Sequence, residues 1–378
     1  MAVSTDNLHT KSLKKQNSEF EYLIKLLKSV LESSATEEKP DDVSFEKLFA
    51  LANSHSVANT AFYAVEKLEN KPQPQLYAKW QEVRDKALFK DITQQMEFES
   101  ISAQLEANKI RYLPLKGTVL KGIYSQSDMR LMSDIDLLID GKNAQKAQDI
   151  MHTLGYYTEH FGAGCHDVYM KKPVMNVEIH RQLFGAEHFD LEAVFTEPWK
   201  MCTDPKGCRW DFDKSHFFVY IVSHAAKHYY GSGTGIRTFM DIYLYKERYG
   251  GELDMSLFDQ MLSKKTAQMC KDLVGLAEVL FGGAERTDKY SQMIKYMLGC
   301  GTYGTTANSV DNEIKRRGKA GYLFSQLFPS RSLMCYSYPI LAKAPILLPF
   351  CWIIRLVTKP FISRKKTMIK LKKLFSRQ

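Results

Sequence analysis

Apolar residues in the first hundred positions recur at intervals of three and four. Phe20, Leu23, Leu26, Leu27, Val30 and Leu31 form one stripe, which predicts a helix over residues 17–31. The same spacing predicts helices over 44–55 and 57–68. Trp80, Val83, Leu88, Ile92 and Met96 fit one face of a long helix over 75–108. The residues before about position 15 are polar and aperiodic, and are expected to be disordered.

From Ile110 the rhythm changes to short apolar runs broken by glycine. Residues 110–115 predict a strand, Lys116-Gly117 its turn and 118–124 a helix. Pro114 inside that strand cannot donate to a ladder, which places the strand at a sheet edge. A second strand is predicted over 134–139, then a helix over 144–154 that stops at Gly155. Residues 167–171 and 174–180 predict a hairpin pair bending at Lys172-Pro173. Helical spacing returns over 214–230, 235–249, 256–281 and 292–298.

The pattern divides the chain into a disordered start (1–15), a helical region (16–108), an α/β core (109–200), a second helical domain (201–335) and an apolar, basic tail (336–378). The expected class is α+β or α/β, a small mixed β-sheet flanked by N-terminal and C-terminal helical regions. With 378 residues and 44% hydrophobic content the chain can bury a sizeable core. Seven cysteines without a C-x-x-C pair fit reduced thiols, and the polar N-terminus lacks the apolar segment of a secretory signal, so a cytoplasmic location is expected.

The formal charge of +9 is uneven, because residues 355–377 hold nine Lys and Arg and no acid and so account for the whole excess. A pI of 8.9 therefore argues little for nucleic acid, and a nucleic-acid partner is disfavoured. The apolar stretch 338–357 is interrupted by Lys343, Pro345, Pro349 and Arg355, which speaks against a spanning helix. Charges mixed with Met368, Ile369, Leu371, Leu374 and Phe375 predict a basic amphipathic helix, suited to peripheral contact with the inner, anionic face of a membrane.

Chemistry concentrates in Ser133-Asp134-Ile135-Asp136-Leu137-Leu138-Ile139. A strand sends i and i+2 to one face, so Asp134 and Asp136 point together while Ile135, Leu137 and Ile139 pack inward. Two carboxylates so close repel, and a divalent cation, magnesium for phosphate chemistry, keeps both ionised. The Lys116-Gly117 turn before a helix suits a phosphate cradle, with amide groups, a glycine that allows close approach and a lysine charge. Glu178 is the candidate third acid, because alternation in Val177-Glu178-Ile179-His180 sends Glu178 and His180 to the face opposite Val177 and Ile179.

His224 and His228, four apart, share a helix face, but Ala225 stands where a zinc protease needs glutamate. Gly231-Ser232-Gly233-Thr234-Gly235 follows a helix rather than a strand, and so predicts a flexible connection rather than a dinucleotide loop.

Leu113-Pro114-Leu115-Lys116-Gly117, then Tyr124, Arg130, the 133–139 run and Val177-Glu178-Ile179-His180 resemble the uncharacterised nucleotidyltransferase family of the DNA polymerase beta superfamily. The resemblance covers about 110–183 closely and the helices to Tyr249 more loosely. Lys116-Gly117-Thr118 stands in place of the more usual Gly-Ser. The resemblance implies two Mg²⁺ ions on Asp134, Asp136 and Glu178, with Glu178 also helping to deprotonate an acceptor hydroxyl. It implies nucleotide contacts from Lys116, Gly117, Thr118, Arg130 and Ser133, with Gly117 and Thr118 meeting the β and γ phosphates and Arg130 neutralising pyrophosphate. It places His180, His224, Lys227, His228, Arg237 and Asp241 around an acceptor or phosphate pocket. The implied reaction is transfer of NMP from an NTP to a small-molecule, sugar or peptide hydroxyl. The alternatives are a catalytically silent nucleotide-binding or docking protein and, ranked lower, an RNA-modifying enzyme.

Overall fold

The computed structural model describes residues 5–162, 164–185, 189–335, 337–362, 368–370 and 373–374. Four helices come first: α1 (Thr5–Leu31), α2 (Phe45–Ser54), α3 (Ala58–Val65) and α4 (Pro74–Ala107). Residues 5–15 are helical where composition predicts disorder. Once the buried turns around Leu23 and Leu27 are fixed, each added residue gains a hydrogen bond for one pair of dihedrals.

The stripe predicted on α4 is also corrected. Trp80 is buried, but Leu88, Ile92 and Met96 are exposed, and the inward face holds Ala87, Asp91, Gln94, Ile101 and Leu105. Polar partners draw Asp91 and Gln94 inside. Asp91 accepts from Ser127 Oγ at 2.5 Å and pairs with Lys121, while Gln94 Nε2 donates to Met132 O at 3.4 Å.

The sheet follows, in the order β1 (Tyr112–Pro114), α5 (Lys116–Leu120), β2 (Ile135–Ile139), α6 (Ala144–Thr153), β3 (Tyr157–His160), β4 (His166–Lys171) and β5 (Met175–His180). Its strand order is β1-β2-β5-β4-β3; β2 and β5 run parallel and the other neighbours antiparallel. Pro114 lies in edge strand β1 opposite Leu137, where its missing N–H is tolerated. β3 carries no apolar run and its residues are largely exposed, so periodicity gives no sign of it. Ile135, Leu137 and Ile139 with Val177 and Ile179 face a core completed by Ala147, Ile150 and Met151 of α6 and Ile101 and Leu105 of α4.

The remaining helices are α7 (Phe189–Val194), α8 (Lys214–Gly231), α9 (Ile236–Tyr249), α10 (Leu257–Met261), α11 (Lys264–Ala277), α12 (Asp288–Leu298), α13 (Thr306–Leu327), α14 (Arg331–Cys335) and α15 (Leu348–Ile362). The single helix predicted over 256–281 is broken at Leu262. Ser263 then caps α11 by accepting from Thr266 N at 3.3 Å. Phe20, Leu23 and Leu27 of α1 share one buried core with Phe62 of α3, Phe218 and Val222 of α8, Phe239 of α9, Leu273 of α11 and Met297 of α12. Leu113, Leu115 and Leu138 join it from the other face of the sheet. Among the described residues no helix is long and apolar enough to cross a membrane. The basic amphipathic helix predicted near the C-terminus falls largely outside the described residues.

Candidate active site

The parallel register of β2 and β5 makes Asp136 and Glu178 direct neighbours, with His180 two residues beyond Glu178 on the same face. Ligand atoms of Asp136, Glu178 and His180 all lie within 4.8 Å of one another. Asp134 comes one residue before β2 begins. Its carboxylate accepts from Ser133 Oγ at 3.0 Å and lines the same cleft without joining that group. The three acids thus meet at one cleft, but the tight trio contains His180 in place of Asp134.

Lys116 is placed deeper than a phosphate cradle requires. Its Nζ donates to Asp136 Oδ1 at 2.8 Å, and His180 Nε2 approaches the same oxygen at 2.9 Å. Lys116 has φ +42°, a left-handed conformation unusual for a side-chain-bearing residue, and this bends the chain between β1 and α5. Burial alone would raise the Asp136 carboxyl, but Lys116 and His180 outweigh it and hold Asp136 well below the usual carboxylate range. The reciprocal effect keeps Lys116 and His180 protonated. Burial also opposes ionisation of Glu178, which His180 and His166 reverse. Asp134 lacks such a partner: burial first, then repulsion from Asp136 and Glu178, pushes it up to about 6.

The glycine turn works differently from the expected open cradle. A Cβ at Gly117 would lie 2.4 Å from Arg130 Nη1 and 2.5 Å from Met132 Sδ, so these side chains occupy the space that glycine leaves. Thr118 is absent from the cleft wall, and its buried hydroxyl has no hydrogen-bond partner among the described residues. Arg130 spends two donors on Asp241, Nε to Oδ1 and Nη2 to Oδ2, each at 2.8 Å. Tyr124 OH adds a third bond to Asp241 at 2.8 Å. Asp241 is therefore an anchor for Arg130 rather than an open carboxylate for an acceptor.

The N-terminal helices hold the loop that carries Arg130. Asn59 Nδ2 donates to Asp128 O at 2.7 Å and Thr60 Oγ1 to Met129 O at 2.5 Å, while Lys90 Nζ reaches Ser133 O at 3.4 Å. Arg237 of α9 binds Leu131 O from the opposite side.

The cleft above the acids encloses about 540 Å³. His224, Lys227 and His228 of α8 line it, as do Arg237 and Asp241. His224 and His228 approach Nε2 to Nε2 at 3.2 Å, and burial with the nearby Lys116 charge keeps His224 neutral. Ser232, Gly233 and Thr234 also line the wall, so the predicted connection is part of the site. Gly233 has φ +100°, and a Cβ there would meet Cys300 Sγ at 2.1 Å, so glycine is needed on both counts.

Cys165 and His166 are lining residues that periodicity does not single out. His166 is the cross-strand partner of His180, and its Nδ1 lies 3.4 Å from Cys165 Sγ. Burial raises the Cys165 thiol, but His166 and His180 more than offset this and bring it down to about 6. Two adjacent metal-ligating side chains just before the strand predicted over 167–171, the hairpin partner of 174–180, are the available signal.

The donor set suits a hard divalent cation. Asp134, Asp136 and Glu178 present carboxylate oxygens to one cleft, and Asp134 is raised by burial first and then by repulsion from the other two acids, both of which a bound cation offsets. Lys116 and His180 supply that positive charge at Asp136 in this structure.

No curated protein and no solved structure matches the chain. Residues 41–282, more than half of it, match a family described as uncharacterised nucleotidyltransferase. That span contains the whole sheet and every cleft-lining residue named above. A nucleotidyl-transfer role in general terms follows, and the acid face of β2 and β5 with its helical walls belongs to a member of the uncharacterised nucleotidyltransferase family.

Proposed function

We propose that the protein transfers a nucleoside monophosphate from an NTP to an acceptor hydroxyl, with magnesium held by Asp134, Asp136 and Glu178. The observation that carries this reading is the pairing of Asp136 with Glu178 on parallel strands that line the cleft. Bound Mg²⁺ would neutralise phosphate charge and polarise the α-phosphorus. Lys116 would then leave Asp136 for the triphosphate, to which it offers a point charge. Glu178, ionised beside His180 and His166, would take the acceptor proton as the new O–P bond forms and the bond to the β-phosphate oxygen breaks, releasing pyrophosphate. Arg130, clamped by Asp241, keeps Nη1 beside Gly117 at the cleft wall.

A second reading has a specific observation behind it: Lys116 and His180 already neutralise Asp136, as they would in a silent nucleotide-binding protein. Calorimetric titration with NTP, with and without magnesium, separates the two when run on the native chain and on Asp136→Asn. The enzyme reading expects binding that needs both metal and carboxylate, together with label from an α-labelled NTP in an acceptor from cell extract. Binding indifferent to both changes, with no label transferred, rejects it.

A further inference from the structure

We infer that the outer face of α15 is a docking surface for an anionic lipid bilayer. After Ile346, 83% exposed in the turn that precedes α15, Phe350, Ile353 and Val357 follow on the helix at three- and four-residue steps and are 64%, 63% and 61% exposed. These positions form a continuous apolar stripe directed away from the protein. The opposite side of the helix is fastened down. Cys351 is buried in a small core with Met334 and Leu341, Trp352 Nε1 donates to Pro329 O at 2.9 Å, and Arg355 Nη1 donates to Gln326 O at 2.7 Å.

Further apolar side chains lie beside the fastened side of α15, at the end of α13. Phe324 is largely exposed, its ring centroid is 5.1 Å from that of Phe328, and Phe328 meets Trp352 at 5.2 Å. A contiguous patch of large apolar side chains is uncommon on a protein that meets only water. Its charge selects the occupant. Residues 356–377, beginning on this helix, carry eight Lys and Arg and no acid, complementary to anionic headgroups, two of them, Lys370 and Lys373, also reaching Gln326 and Asp311 of α13. Buried apolar area and electrostatic attraction to anionic lipid together set how strongly an interfacial helix binds. Fifteen residues of helix extend roughly 22 Å, short of the ~30 Å hydrocarbon thickness, so α15 would lie in the interface plane.

The test uses the full chain in sedimentation with two vesicle types, pure phosphatidylcholine and equimolar phosphatidylcholine and phosphatidylglycerol. Two variants accompany it, Phe350→Ser with Ile353→Ser, and Arg364→Gln with Lys365→Gln and Lys366→Gln. The inference expects binding to the anionic vesicles, weakened about tenfold or more in either variant, on neutral vesicles and at high salt. Sedimentation without lipid gives the oligomeric state. Equal retention of all three proteins, equal binding to both vesicle types, or a stripe-dependent dimer that leaves vesicles unbound would overturn it.

Discussion

At the scale of single residues, Asp136 is the point where charge, burial and register coincide. Truncation to alanine would leave Lys116 and His180 buried without their shared carboxylate, a loss of about 3–5 kcal/mol readable by chemical denaturation. Asp136→Asn keeps the shape and is expected to lower transfer by roughly a thousandfold, in keeping with the loss of one preorganised charge, while unfolding shifts less. Asp134 gives a pH signature. Its folded value, about 6, lies above the 3.8 of an unperturbed aspartate, so the folded state binds this proton more tightly. The resulting stability is fully present below about pH 4 and is lost as pH rises through about 6. Asp134→Asn should therefore gain melting temperature relative to the native chain as pH rises through that window without divalent ions. Magnesium should shrink the difference.

At the scale of elements, the site depends on a loop held from both sides. Asn59→Ala removes the side-chain donor from Asp128 O and Met129 O, which should cost about 1–3 kcal/mol and raise the KM for NTP through a loosened Arg130. Gly117→Ala should act on the same arginine, since its new methyl would collide with Arg130 and Met132. Comparing KM with kcat for both variants checks whether their effects converge.

Strands β2 and β5 were legible, unlike β3, because alternation with a period of two exposes its own errors: Asp136 had to face away from Leu137, and Glu178 away from Ile179. Their parallel pairing was not legible, because no local pattern states which strand lies beside which. Nor was the Lys116 contact, which follows from a left-handed backbone at a residue without special propensity for it. On α4 the apolar pattern pointed outward, because Asp91 and Gln94 are buried through partners far away in the chain.

At the scale of the whole molecule, the N-terminal helices and helices α8 to α12 are parts of one interior. Leu23→Ala on α1 opens a void against that interior, and should cost about 2–5 kcal/mol in a single transition seen alike by circular dichroism and tryptophan fluorescence. Separate transitions would mean that the two regions melt independently. The two middle strands impose a further constraint. β2 and β5 use alternate positions for packing and for chemistry, so one inserted residue in either would turn its acid into the oily side and an aliphatic into the cleft. Length changes in these ten or so positions are thus lethal twice over, and diversification of such a protein must come by replacement there and by growth in the long connection between β5 and α8.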